Sequence, residues 1–323
     1  MNALENEIFG LKSPADFETV ALKVFDFQRT HCSVYRDFVQ MLNIQEPSSL
    51  KEIPFLPISF FKSHEVRSGT RDVETIFKSS GTTGMIRSQH FVESIEMYRK
   101  SFLSTYIHQY GSLEDQVILA LLPNYVEQGN SSLVFMVDDL IQKTKNPLSK
   151  FYLDDLNELL IAYQQAVQSN KKVIIFGVSY ALLDLAELKP DLSKAIIIET
   201  GGMKGRRKEM TKEELHLELK TAFQVPYISS EYGMAELLSQ AYSDQDGLFD
   251  FSPWMKALIR DVNDPFCYLV EGKTGGINVI DLANLYSCSF ISTQDLGKIQ
   301  NKQLQLMGRF DHSEIRGCNL MVE

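Results

Sequence analysis

Continuous apolar runs alternate with helically spaced segments through the middle of the chain, and this alternation predicts the fold class. Residues 117–122 form six successive apolar positions ended by Pro123, and residues 173–178 and 195–198 repeat the pattern. Runs without polar alternation suit strands buried on both faces. Between them, residues 153–168 and 180–187 read as helices. Thr211-Lys212-Glu213-Glu214 has capping-box spacing and opens a helix to about Phe223. Val225-Pro226-Tyr227-Ile228 reads as the last short strand of the series. Strands alternating with helices predict an α/β domain with a mostly parallel sheet flanked by helices.

The flanks differ. Residues 1–50 read as helical, with Phe17, Val20, Ala21, Val24, Phe25 and Phe27 at roughly helical spacing. Residues 53–62 carry two prolines three apart, which predicts an extended path. A helix is expected from about Glu93 to Tyr110. After about residue 245, short β-branched runs such as 257–260 and 277–280 are separated by Gly and Asp turns, which reads as an antiparallel lobe. The expected organisation is an α/β core over 1–245 and a smaller β-rich lobe over 246–323.

Composition narrows the function classes. Apolar residues at 44% and charged residues at 23% are ordinary globular usage. A net charge of -10 argues against nucleic acid as the main partner. No apolar run reaches the ~18 residues that a membrane span needs. The acidic start Met1-Asn2-Ala3-Leu4-Glu5 is unlike a secretory signal. Cys32, Cys267, Cys288 and Cys318 show neither C-x-x-C pairing nor zinc spacing, which predicts reduced thiols in a cytoplasmic protein. His64, His90, His108 and His216 likewise lack metal spacing and read as core or surface residues.

Three polar clusters interrupt the apolar pattern. Lys78-Ser79-Ser80-Gly81-Thr82-Thr83-Gly84 follows the β-prone run Thr75-Ile76-Phe77. Its glycines free the backbone to expose successive N–H groups, and its hydroxyls add donors without bulk, which suits a polyphosphate. It lacks the order and lysine of a P-loop. Thr200-Gly201-Gly202 ends one strand, and Ser229-Ser230-Glu231-Tyr232-Gly233-Met234-Ala235-Glu236 is read as ending the next. Ligands of open parallel sheets gather at such strand ends. Paired glycines permit close approach to a flat ring, Tyr232 offers a stacking face, and Glu236 a hard oxygen ligand for Mg²⁺. Singly, each is as readily a turn, a rim residue or a solvated charge.

In order, the clusters resemble the adenylate-forming superfamily of acyl-CoA synthetases, adenylation domains and luciferases. The matching pieces are S-S-G-T-T-G, the Gly-Gly after a strand, Y-G-M-A-E, T-Q-D-L-G at 293–297 and G-R-F-D at 308–311. The resemblance implies that Ser79, Ser80, Gly81, Thr82, Thr83 and Gly84 cradle the phosphates of ATP. It places Gly201, Gly202 and Tyr232 around the adenine, Gly233 among the cofactor-binding residues, and Glu236 on Mg²⁺. Asp295 would take the ribose hydroxyls, and Arg309 would reach ribose or phosphate. Ala235 departs from the pattern, which usually has Thr there. Lys62 and the run Lys204, Arg206, Arg207 and Lys208 are further cations that could meet phosphate or a partner.

In that superfamily G-R-x-D opens a hinge into a C-terminal mobile lobe; here only residues 312–323 follow, so that lobe is expected to be absent. The tail instead holds Cys318 near Arg316, and a neighbouring cation favours the reactive thiolate. His312 is a candidate base. The chain resembles the acyl-protein synthetase (LuxE-type, luciferin-component ligase) family over I-P-F-L-P-I-S-F-F-K, L-L-P-N-Y, E-T-G-G-M-K-G-R-R, S-E-Y-G-M-A-E-L-L-S-Q-A-Y and G-R-F-D-H-S-E-I-R-G-C-N-L. That resemblance implies a ligase that converts a fatty acid to acyl-AMP and passes the acyl group to Cys318 as a thioester. A reductase or acyltransferase partner would then receive it. The alternatives are an acyl-CoA ligase using a free thiol and a nucleotide-binding subunit without turnover.

Overall fold

A computed structural model describes residues 3–44, 46–80, 86–122, 130–153, 155–201, 207, 210–243 and 247–310. The chain divides into two compact units, one of Phe61–Glu65 with Gly69–Ser252, the other of Met1–Phe60, Val66–Ser68 and Pro253–Glu323.

The unit built from the middle of the chain is the α/β one. Its sheet runs Leu248–Phe251, Ala241–Ser243, Ser229–Tyr232, Ala195–Thr200, Lys172–Val178, Gln116–Leu121 and Lys150–Phe151. The last five strands are parallel, and the first two add antiparallel pairs. Gln116–Leu121 is buried along its whole length, and Lys172–Val178 is buried after its first residue. Each buried Val, Ile or Leu contributes roughly 1.5–3 kcal/mol, so these runs form the centre of the sheet. Helices Leu156–Gln168, Ser179–Ala186 and Lys212–Phe223 follow where the spacing predicts them. Thr211 Oγ1 accepts from Glu214 N at 3.2 Å, and Glu214 Oε2 accepts from Thr211 N at 2.8 Å, completing the capping box.

Three sequence expectations change. The last parallel strand is Ser229–Tyr232 rather than residues 225–228. Gln224 turns left-handed (φ 57) and Val225 N bonds back to Lys220 O, so residues after the helix are spent closing it, and Pro226 has no N–H for a ladder. The hydroxyl-rich cluster is therefore the strand itself. Residues 53–62 are only briefly extended, at Leu56–Pro57, before a helical turn at Phe60–Ser63. A helix at Ser132–Thr144, capped by Ser131, adds to the expected elements.

A separate hairpin in this unit pairs Thr75–Lys78 with Gln89–Val92. Helix Ile95–Tyr110 follows it, capped by Ser94 Oγ accepting from Met97 N.

The other unit combines helices Ala3–Phe9, Pro14–His31 and Ser33–Met41 with four antiparallel strands, Met255–Arg260, Gly275–Asp281, Phe290–Gln300 and Gln303–Arg309. The antiparallel character read after residue 245 is present. Leu56–Pro57 adds in parallel to Phe290–Gln300. Buried Gln28 donates to Asn284 O at 3.0 Å and Leu285 O at 2.9 Å and accepts from Ser289 N at 2.9 Å. Arg260 is buried between strands, donating to Ile277 O at 2.8 Å, Asn278 Oδ1 at 2.9 Å and Thr293 O at 2.7 Å. Among the described residues no helix is long and apolar enough to cross a membrane.

Candidate functional site

In the α/β unit, the paired strands Thr75–Lys78 and Gln89–Val92 flank the Ser/Gly/Thr segment in the sequence. Ser79 extends the ladder: its N–H donates to Ser88 O at 3.1 Å, and its Oγ accepts from Ser88 N at 3.0 Å. Arg87 closes the base from the side, its Nε donating to Ser79 O. Ser80 is exposed. Gly81, Thr82, Thr83 and Gly84 lie outside the described residues, as do Gly202, Lys204, Arg206, Lys208 and Cys318. Arg207 is paired with Asp184 of helix Ser179–Ala186 and with Glu187 at its end.

The adjacent parallel strands Ala195–Thr200 and Ser229–Tyr232 bring the next candidates together, with Glu199 opposite Ser230. Gly201 follows with φ +71, a left-handed turn at the carboxyl end of the sheet that glycine adopts without strain. Tyr232 is 7% exposed, its ring edge-on to Phe249 at 6.0 Å between centroids. Gly233 lies beside the Glu231 carboxyl, which fills the space that a Cβ would need. Glu236 is 5% exposed.

Buried acids beneath this edge form a network that the motif alone did not disclose. Glu199 Oε1 accepts from Ser179 Oγ at 2.7 Å, and the same hydroxyl lies 3.0 Å from Gly201 O. Ser230 Oγ donates to Glu199 Oε2 at 3.2 Å, with Lys212 Nζ at 3.7 Å and His216 Nε2 at 3.9 Å. On the opposite face Thr200 Oγ1 donates to Glu231 Oε2 at 2.6 Å. Burial disfavours charge on Glu199, but His216, Lys212 and Ser179 outweigh it and hold the carboxyl below its ordinary value. Burial raises Glu231 to about 7, with the Glu199 charge adding to the effect against the Thr200 bond and Lys212. Of the two neighbouring acids, Glu199 is biased toward its charged form and Glu231 toward its protonated one. Polar residues at successive positions of two neighbouring strands were the available signal, visible only once their register was known.

A second tie reaches the Y-G-M-A-E segment from the hairpin. His90, 1% exposed, places Nδ1 2.8 Å from Ala235 O. Among the described residues no group of three or more His, Cys, Asp and Glu could hold a metal ion. Glu236 offers a single buried carboxylate, and Mg²⁺ takes one or two carboxylates with the rest of its shell from phosphate oxygens and water.

The other unit holds the remaining candidates. Asp295 and Arg309 face each other across the antiparallel pair Phe290–Gln300 and Gln303–Arg309. Arg309 Nε lies 2.9 Å from Asp295 Oδ1. The Asp295 side chain is 9% exposed and that of Arg309 78%. Cys32 and Cys288 are buried in this unit, and Cys267 is exposed.

The path of the chain is that of the adenylate-forming ligases. ATP-bound MatB from Rhodopseudomonas palustris matches with a TM-score of 0.57 at 18% identity, over 75% of this chain and 49% of that one. A 2-hydroxyisobutyryl-CoA ligase in complex with 2-HIB-AMP and CoA matches with a TM-score of 0.68 at 12% identity, over 94% of this chain and 72% of that one. At these identities the likeness is one of fold. The chain spans about half the length of the MatB structures it matches. A comparison with curated proteins gives no match. The model of the family described as "Acyl-protein synthetase, LuxE" matches residues 12–323, and the chain belongs to that family.

Proposed function

We propose that this chain is an ATP-dependent acyl-protein synthetase that activates a long-chain fatty acid and takes the acyl group onto Cys318. The observation that carries the reading is the register that sets Glu199 opposite Ser230, so that Gly201 and Tyr232 follow at the ends of neighbouring strands, in a chain of this family. A carboxylate is a poor electrophile. Attack of its oxygen on the α-phosphorus of ATP forms an acyl–O–P bond and expels pyrophosphate. Positioning and charge neutralisation supply most of such catalysis, so no protein nucleophile is needed at this step. Ser79 and Ser80 with Gly81, Thr82, Thr83 and Gly84 are proposed to receive the phosphates. Gly201, Gly202 and Tyr232 would receive the adenine, and Asp295 and Arg309 the ribose. Mg²⁺ would neutralise phosphate charge, with Glu236 as its protein ligand.

In the second half-reaction the Cys318 thiolate attacks the acyl carbonyl, a C–S bond forms, and AMP leaves. The thioester is the form in which a partner reductase or acyltransferase accepts the group. A reducing compartment such as the cytoplasm suits this thiol chemistry.

The test is pyrophosphate exchange over acids of graded length, followed by intact-mass measurement of the full chain. The expected product is a hydroxylamine-sensitive adduct with the mass of the acid less one water, lost in Cys318→Ala. An adduct that survives Cys318→Ala moves the nucleophile elsewhere. Exchange with none of the acids would sink the adenylation step, and turnover with free coenzyme A by a chain truncated before Gly317 would favour the free-thiol ligase.

A further inference from the structure

His90 sits in the second strand of the phosphate-loop hairpin, opposite Phe77, and its ring is 1% exposed. The edge of the ring meets Phe61 at 5.7 Å between centroids and 90°. Its Nδ1 lies 2.8 Å from Ala235 O, within the Tyr232–Glu236 segment, 145 residues away along the chain. A carbonyl oxygen can only accept, so Nδ1 carries the proton and the tautomer is fixed by its partner. The hydrogen bond therefore joins the strand leaving the phosphate loop to the peptide immediately before Glu236. Ser101 Oγ and Ser239 Oγ, 2.9 Å apart and buried, hold the chain three residues beyond Glu236 to helix Ile95–Tyr110. That second anchor means that loss of the histidine bond would shift the segment rather than unfold it.

We infer that His90 is a positioning residue for adenylation, holding Glu236 and its segment in fixed register with the hairpin of Thr75–Lys78 and Gln89–Val92. The inference rests on the function proposed above. It assigns His90 no contact with substrate. A displacement of about 1 Å at a reacting centre can cost on the order of 100-fold in rate, so a single internal tie of this kind is enough to matter.

Asparagine and glutamine separate the bond from the bulk. The amide nitrogen of asparagine can occupy the place of Nδ1, whereas that of glutamine falls near Nε2. His90→Gln is expected to lower kcat for pyrophosphate exchange at least 30-fold with KM for the acid within about threefold, and His90→Asn to restore kcat to within about threefold. In parallel, hydrogen–deuterium exchange should be faster in both 86–92 and 232–237 for His90→Gln and near wild type for His90→Asn. Equal losses in the two variants, or exchange changes confined to 86–92, would overturn the inference. If the wild-type protein shows no exchange activity with any acid, the adenylation reading fails. The deuterium comparison then stands alone, and equal exchange in both variants and the wild type rejects the tie itself.

Discussion

Thr200 Oγ1 donates to Glu231 Oε2 at 2.6 Å, so the last residue of one parallel strand anchors an acid in the middle of the next. The acid so held is one whose charge the surroundings resist. Glu199 lies on the neighbouring strand with its charge already secured by Lys212 and His216.

Glu231 gives the stability a defined pH dependence. Burial raises it from 4.5 to about 7, so between those values the folded chain holds a proton that the unfolded chain releases. Its contribution is complete below about 4.5 and is lost as pH climbs through 7. Glu231→Gln cannot ionise and keeps an acceptor for Thr200. The variant should match wild type near pH 4.5 and exceed it by about 1–3 kcal/mol at pH 8. Thermal melts across that range check the sign; a wild-type advantage at pH 8 would refute the buried-acid account.

Arg309 separates binding from folding. Its side chain is 78% exposed, and ion pairs at such positions contribute at most about 1 kcal/mol. Arg309→Ala should leave Tm within about 2 °C of wild type. On the proposed function, KM for ATP should rise about tenfold, corresponding to about 1.4 kcal/mol. Nucleotide titration of the folded variant measures it, and an unchanged KM removes Arg309 from the site.

The described thiols should differ sharply in reactivity. Burial pushes Cys32 up and Cys288 well above its ordinary value, whereas Cys267 is exposed. Iodoacetamide at pH 8 should alkylate Cys267 first and reach Cys32 and Cys288 only in denaturant. Peptide mapping by mass spectrometry decides it. Rapid modification of Cys288 in the native protein would contradict its packing.

Arg260 and Gly276 should be energetically coupled. A Cβ at Gly276 would come within 2.5 Å of Arg260 Cζ, whose guanidinium is held by two carbonyls and Asn278. Gly276→Ala should cost about 1–3 kcal/mol, and Arg260→Leu about 2–4 kcal/mol because buried acceptors lose their donor. In the Arg260→Leu background, Gly276→Ala should cost less, and a double-mutant cycle by urea melts reads the difference. Strict additivity would mean that the two residues do not share space.

Apolar runs and capping spacing made the parallel strands and the helix after Thr211 legible, because full burial and a satisfied N-terminus are local properties. Met255–Arg260 and Gly275–Asp281 were legible from a different local signal, short β-branched runs set off by Gly and Asp turns. Ser229–Tyr232 was not, since its hydroxyls and acid read as a loop until Glu199 and Thr200 on the next strand supply their partners. His90 was set aside because a lone buried histidine carries no spacing signal; its partner, Ala235, is a backbone carbonyl that no side-chain pattern announces. The helix Ser132–Thr144 carried a local signal that was passed over, since Val134, Val137, Leu140 and Ile141 recur at helical spacing between the Ser131 cap and Pro147.

The amide of Gln28 is satisfied by residues 284–289, more than 250 positions downstream. During synthesis at about 5–20 residues per second, the first helices must wait on the order of 10–50 s before those partners emerge. Their apolar faces remain uncovered meanwhile, while the intervening α/β segment can complete its own sheet. The order of birth along the chain is thus the reverse of the order in which the two units can finish, and the N-terminal helices are the stretch that a chaperone would have most time to meet.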